Sequence, residues 1–448
     1  MIRNRCAVVM LALLAALPAA TAGAQSFDAR SMAMGGVQLP GGGAWGSVGN
    51  VAYRGVPQGS SGSTSIPLPL GLIPVLADPP QLDPNKSDFN AFELANLLSN
   101  IPWNLSLFKP KTPSNDISVS IGQNQLSVDL GDLADIFPKD RSRFAGVVSG
   151  PAPTYGFRGA FVGLQPLVHY DNTLRFNAAL RGVLVDGADV LTNTDYVAYD
   201  NVVAQAAGGV QFGWAGPLVK HGDDPHDAAN SGLYVGARVK LLRGFAYGSA
   251  DNIATLTTTD SLFGSNPVNL RYYGSLREAH PRDGRWGEGV DLGMVWFRRG
   301  IEFGVGINDI STRLRWKVKE SIAYTDTVTD EIVQKTLRDS VDFTSKVPTT
   351  YTANAATHVG RWLLAVDIQR GVRSTTAHVG GETGWRGMMV RAGAGLDADQ
   401  LLQVAGGVGL RFGPVGLDLA LATQSRNLSH ERGLDLGAGL EFYHREKP

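Results

Sequence analysis

The densest group of metal-ligating side chains in this sequence is Lys220-His221-Gly222-Asp223-Asp224-Pro225-His226-Asp227. Its imidazoles and carboxylates are the donors that hold divalent cations. The spacing matches no defined metal loop, and Pro225 with the Ala-Ala-Asn that follows reads as a solvated connection, so no metal site is expected. His358 and His378 fall in adjacent predicted strands with Ser374 and Asn354 nearby, the residue types of a Ser-His-Asn hydrolase. Nothing like G-x-S-x-G accompanies them, so these histidines are expected to be structural. Gly406-Gly407-Val408-Gly409 and Gly393-Ala394-Gly395 lack the spacing of a phosphate loop and no helix follows them. The expectation is a protein that is not an enzyme, with no catalytic residue, cofactor or metal.

A second kind of chemistry is charge carried at strand period. Arg313, Arg315, Lys317 and Lys319 stand at every second position. They form a basic stripe that either lines a path for anions and carboxylate head groups or pairs with Asp and Glu on neighbouring strands. The same alternation recurs along the chain. Leu174, Phe176, Ala178 and Leu180 oppose Arg175, Asn177 and Arg181. Leu233, Val235, Ala237, Val239 and Leu241 oppose Tyr234, Gly236, Arg238 and Lys240. Ile310, Leu314 and Trp316 oppose Asp309, Arg313 and Arg315, Trp362 to Ile368 oppose Asp367, and Leu417 to Leu421 oppose Asp418. Faces that mix Arg and Asp are costly in a dry sandwich core and natural in a hydrated lumen. Arg175, Arg181, Arg238, Lys240, Arg313, Arg315, Asp367 and Asp418 are therefore expected to line a lumen, with the apolar faces toward lipid.

The elements that must position these residues follow from composition. Of 448 residues 18% are charged, 55 are Gly and one is Cys. Gly spread through alternating segments suits a β protein with many turns. Residues 1–24 read as a cleavable signal peptide, with Arg3 and Arg5 before the apolar run Ala7 to Leu17 and Ala22-Gly23-Ala24 as the cleavage site. Cys6 would leave with it. Removal of the two arginines takes the formal charge from −1 to −3, which gives no sign of nucleic-acid binding. No run of 18 apolar residues follows, yet a closed barrel spans a membrane without one.

Residues 25–143 differ from the rest. Their Pro-rich stretch Ile66 to Lys86 excludes a central strand, and one short helix is expected from Ser87 or Asp88 through Phe89, Phe92, Ala95 and Leu98. Asp116 to Leu130 reads as a hairpin, and Asp132 to Phe137 as a helical turn. The segment looks like a plug. Residues 144–448 are the main body, where about 12 to 15 alternating segments leave 14 as the preferred even count. Trp286, Trp296, Trp316, Trp362 and Trp385 are expected in interfacial aromatic girdles.

The run Ala29-Arg30-Ser31-Met32-Ala33-Met34-Gly35-Gly36 resembles the mature amino terminus of the FadL and TraF-like group of outer-membrane barrels. In that family an Asn-Pro-Ala turn follows about fifteen residues on. Here Asn50-Val51-Ala52 stands in its place without the Pro. At the other end, Asp435-x-Gly437-x-x-Leu440-x-Phe442 resembles the carboxy-terminal signal read by the barrel assembly machinery, with His444 to Pro448 extending past it. The resemblance implies an all-β fold, a transmembrane antiparallel β-barrel with an amino-terminal luminal hatch containing Ala29, Arg30, Met34, Gly35, Gly36 and Asn50. It also implies the cell outer membrane as location, lipid and the assembly machinery as partners, and passive uptake of a small hydrophobic or amphipathic molecule. The alternative is a non-transporting barrel, an accessory in secretion, conjugation or envelope assembly.

Overall fold

A computed structural model describes residues 28–38, 43–57, 63–77, 79, 104–108, 118–121, 126–129, 141–149, 154–222, 225–227, 229–263, 267–372, 374–396, 402–423 and 433–443. The predicted signal peptide, the predicted helix near 89–98, the helical turn at 132–137 and Asp223-Asp224 of the acidic loop lie outside the described residues.

Short elements come first: α1 (Ala29–Ala33), α2 (Gly43–Gly49), a 3-10 turn (Val51–Arg54), β1 (Ser63–Leu68), α3 (Leu72–Ala77) and β2 (Leu105–Phe108). β3 (Ser118–Ile121) and β4 (Leu126–Asp129) form a separate hairpin. β5 (Arg141–Val148), β6 (Thr154–Phe157) and β7 (Ala160–Phe176) follow, then α4 (Ala178–Leu184). The long strands are β8 (Asp195–His221), β9 (Ser231–Thr258), β10 (Val268–Ala279), β11 (Gly284–Arg298), β12 (Ile301–Thr325) and β13 (Ile332–Lys346). The regular series closes with β14 (Thr350–Val359), β15 (Trp362–Arg370), β16 (Thr375–Trp385), β17 (Met388–Leu396), β18 (Leu402–Phe412), β19 (Val415–Thr423) and β20 (Leu434–Tyr443).

Among the described residues all strands except β3 and β4 belong to one antiparallel sheet of a β-barrel. β7, β8 and β9 pair in chain order. The next lane is shared end to end, β11 along the first half of β9 and β10 along the second, with β12 beside both. β13 and β14 likewise share the lane beyond β12. β14 to β20 then pair in order. β1 and β2 lie in one lane along β20, and β5 and β6 in one lane along β7.

Turn chemistry sets the two ends. Arg158-Gly159, Arg299-Gly300 and Arg386-Gly387 have positive φ at both residues, the I′ geometry whose twist matches that of the strands it joins. These tight turns, with those at Gly360 and Gly413, share one end. The other end carries most of the longer connections, the 222–230 connection of β8 to β9 lying at the tight-turn end, and it includes α4, whose Asn177 side chain caps the helix by accepting from the Leu180 N–H. A helix therefore replaces the strand expected over Ala178 to Leu180. Asn before Ala-Ala-Leu-Arg is a capping signal that the alternation of apolar residues concealed.

The pleat divides two unlike faces. On β9, Tyr234, Arg238, Lys240 and Leu242 are buried inside while Val239 and Leu241 are exposed outside. On β15, Asp367 is fully buried between exposed Val366 and Ile368. Leu292, Met294, Trp296, Phe303, Val305, Trp362 and Leu364 are exposed as well. Charge inside and a continuous apolar belt outside is the inverse of a water-soluble protein.

Candidate functional site

Residues 28–38 and 43–57 occupy the barrel interior near the tight-turn end. Asp28 accepts from the Ser31 N–H at the start of α1, and the Ser31 hydroxyl donates to the Val37 carbonyl at 2.7 Å. Gly35 and Gly36 then turn the chain at φ +72° and +99°. A Cβ on Gly35 would stand 2.3 Å from the Ala394 backbone nitrogen, and one on Gly36 would stand 2.7 Å from the His378 ring. Only glycine meets both the backbone and the steric demand here. The wall has its own glycines opposite: Gly380 and Gly393 face Met34, while Gly236, Gly293 and Gly306 face Gly49 to Ala52. These strand glycines are the concavities into which this segment fits.

Asn50 is fully buried. Its Oδ1 accepts from the Ala52 N–H at 3.0 Å and its Nδ2 donates to the Met294 carbonyl at 3.1 Å, fixing the 3-10 turn to β11. Val51 occupies the first position of that turn, where Pro would also fit. The Asn308 side chain and the Thr352 hydroxyl both donate to the Gly49 carbonyl, at 2.8 and 3.0 Å.

Three polar networks tie the segment to the wall. In the first, Arg30 makes two 3.0 Å bonds to Glu382, Glu382 accepts from Arg391 at 2.5 Å, and Arg391 continues to Asp418. The Glu382 carboxylate and nearby Asp28 and Glu441 raise the Arg30 pKa against the opposing effect of burial. In the second, Arg238 bonds Asp291 and Gln211 and reaches the Val48 carbonyl, while Lys240 bridges Asp291 and Asp309 at 2.9 Å each. In the third, the Tyr53 hydroxyl joins Glu302 and Asn354. Burial, then the Glu302 carboxylate, pushes the Tyr53 pKa up. A further anchor is Asp367, which accepts from the Gln38 N–H at 2.7 Å and meets His378 at 2.6 Å. His378 thus serves as a wall residue against Gly36.

Arg54 differs from Arg30. Its guanidinium lies 4.8 Å over the Phe161 ring and donates to the Thr154 hydroxyl. Burial and the neighbouring Arg238 push its pKa down to about 10.

Nearer the long-loop end the interior becomes apolar. Leu167, Ala207, Leu242, Tyr247, Ala279, Leu314, Trp316, Val318 and Val347 form one buried cluster. Trp316 donates to the Ser345 hydroxyl at 2.8 Å and lies 5.3 Å from the Tyr247 ring. β12 carries a break beside this cluster. Asp309 and Ser311 take φ of +59° and +53°, and the pairing with β11 shifts register around them. The even-numbered residues of β12 face inward on both sides of the break; what exchanges is the chemistry of the faces, with Ile301, Phe303 and Val305 outside before it and Arg313, Arg315 and Lys317 outside after it.

That exchange corrects the sequence expectation for the basic stripe. Leu314 and Trp316 face inward, fully buried, whereas Arg313, Arg315 and Lys317 are exposed outside. Arg313 and Arg315 therefore do not line the lumen. Trp316 belongs to the interior cluster, away from any girdle. Arg181 is also displaced, lying on α4 with Asp186 at 3.6 Å. Arg175 is exposed at the far end of β7, its guanidinium 5.0 Å from the Tyr199 ring. Arg238, Lys240, Asp367 and Asp418 are buried in the interior networks. On β20, Asp435 meets Ser106 of β2, Gly437 leaves room for Met32 of α1, and Phe442 is exposed.

The sequence reading missed Glu382, Arg391 and Glu302. Each is a polar residue among small or apolar ones at strand period, the same signal that marked Asp367. What it lacked was the partner across the lumen.

No family model matches the chain, and no curated protein matches it. Among solved structures the chain is similar to the toluene transporter TodX of Pseudomonas putida, at 13% identity over 70% of this chain and 91% of TodX, with a TM-score of 0.29. It is also similar to a mutant porin of Rh. blastica, at 9% identity, 63% and 100% coverage and TM-score 0.20, and to the siderophore receptor PirA of Acinetobacter baumannii, at 7% identity, 68% and 62% coverage and TM-score 0.22.

Proposed function

We propose that the chain is an outer-membrane barrel of fourteen lanes, closed where the β1/β2 lane meets the β5/β6 lane, that lets small hydrophobic or amphipathic molecules cross passively. Residues 28–57 act as its luminal hatch. The observation that carries this reading is the division of the interior. An apolar, aromatic section around Trp316 and Tyr247 lies toward the long-loop end, and a charged section sealed by the amino-terminal segment lies toward the tight-turn end. Short turns face the periplasm and long connections the exterior in barrels of this kind. An apolar solute entering from outside thus meets apolar side chains first and the hatch second. Exchange of the hatch contacts, each a hydrogen bond or ion pair with a replaceable partner, then opens the path.

The test is flux. Full-length protein in liposomes should admit a fluorescent long-chain fatty acid faster than empty liposomes, and should not admit glucose. Equal fatty-acid entry with and without the protein overturns the uptake reading and leaves a non-transporting barrel.

A further inference from the structure

The basic stripe on the outer face of β12 has surroundings of its own. Arg313, Arg315 and Lys317 share the outer face with Arg243 of β9, Arg285 of β11 and Lys346 of β13, all exposed. Registers place them together: Arg313 opposite Lys346, Arg315 opposite Arg285, and Arg243 opposite Trp286. Two carboxylates interrupt the patch. Glu288 meets Arg315 at 2.8 Å and Asp342 meets Arg285 at 3.1 Å. Positive charge remains in excess, and the side chains are mostly guanidinium, which grips phosphate through paired donors.

The patch is continuous with the apolar belt. Leu241 lies two residues before Arg243 on the same face, paired with Glu288, and is 40% exposed; Trp286, in register with Arg243, is 56% exposed. Acyl chains against Leu241 and Val239 therefore place a head group against Arg243, Arg285 and Arg313.

We propose that this outer patch binds the phosphates of a phosphorylated glycolipid, lipid A in chemistry, held in the leaflet around the long-loop end. The inference rests on the membrane reading above. A free anion would satisfy the cations alone, whereas the adjoining Trp286 and Leu241 call for a ligand with acyl chains. A basic face at this height would otherwise repel nothing and attract only counter-ions.

The experiment measures binding of lipid A with both phosphates, of dephosphorylated lipid A and of inorganic phosphate to the full chain in detergent micelles, beside Arg313→Gln/Arg315→Gln/Lys317→Gln. Each cation near an anionic lipid surface is worth about fivefold in affinity, so the triple variant should lose about a hundredfold. Dephosphorylated lipid A should bind the wild type at least tenfold more weakly than the phosphorylated form, and inorganic phosphate should not displace it. Equal binding by the triple variant, indifference to the lipid phosphates, or full displacement by inorganic phosphate overturns the proposal. Heat-modifiable migration reports whether the triple variant folds; if it does not, Lys317→Gln and Arg313→Gln alone are compared, each expected to lose about fivefold. Protein that fails to enter vesicles at all sinks the membrane reading, while vesicle-inserted protein without lipid preference sinks this proposal alone.

Discussion

At the scale of single residues, the interior charges are not equivalent, and their neighbours say which ones matter. Arg391 is buried between Glu382 and Asp418. Its replacement by Leu takes the guanidinium from buried Asp418 and leaves Glu382 with Arg30 alone, which costs about 3–5 kcal/mol. Arg30→Leu leaves Glu382 still paired with Arg391, and Arg30 itself keeps 29% side-chain exposure, so the loss is about 1–3 kcal/mol. Heat-modifiable migration followed against temperature should rank Arg391→Leu well below Arg30→Leu; the reverse order would mean that the wall network is held by the hatch. Arg54 is the opposite case. Its charge is kept beside Arg238 in a half-buried place that already lowers its pKa to about 10. Arg54→Gln removes that conflict while keeping a donor for Thr154, so the unfolding midpoint should stay or rise. A clear fall would show that the Phe161 contact outweighs the desolvation of the guanidinium.

At the scale of elements, the break at Asp309 and Ser311 marks where the two faces of β12 trade chemistry while its even-numbered residues stay inside. Non-glycine residues at positive φ are tolerated best when Asn or Asp. Asp309 also holds Lys240 and accepts from the Thr312 hydroxyl. Asp309→Asn should keep the backbone and lose part of the ion pair, whereas Asp309→Val loses both. Yields of folded barrel should therefore fall in the order wild type, Asn, Val, with Val the more severe by about 2 kcal/mol or more. Equal yields for Asn and Val would show that φ at this position costs nothing. The break also explains what was legible in the sequence and what was not. Period-2 alternation located β15 and β19 and assigned their faces, because one uninterrupted pleat carries each of them. It failed on β12, where the apolar residues move from odd to even positions across the break while even positions keep facing inward, so the apolar face is outside before Asp309 and inside after it. It failed on Ala178 to Leu184, where a capped helix has the same apolar spacing over three residues as a strand. The contacts of the amino-terminal segment were visible only as a motif, since Glu382 and Arg391 lie more than 350 residues from Arg30 and nothing local pairs them.

For the whole molecule, the decisive property is the solvent that the outer belt faces. Val366 on β15 is 41% exposed, on a face shared with Trp362, Leu364 and Ile368, while Asp367 beside it is fully buried. In water, exchanging such an exposed valine for arginine is close to neutral, within about 0.5 kcal/mol. In a bilayer the same exchange near mid-depth costs about 2–4 kcal/mol. The two solvents therefore predict different outcomes for one substitution. Val366→Arg should reduce stability in lipid vesicles by that amount, measured by urea titration of tryptophan fluorescence. An exterior change such as Lys335→Gln, on the exposed face of β13, should leave it unchanged. Equal stabilities for both variants would mean that the belt faces water. The assembled barrel would then have to bury its apolar outside against other protein. A large Val366→Arg penalty beside a silent Lys335→Gln places the belt in lipid and gives the inward charges, the hatch and the outer basic patch the surroundings that their chemistry requires.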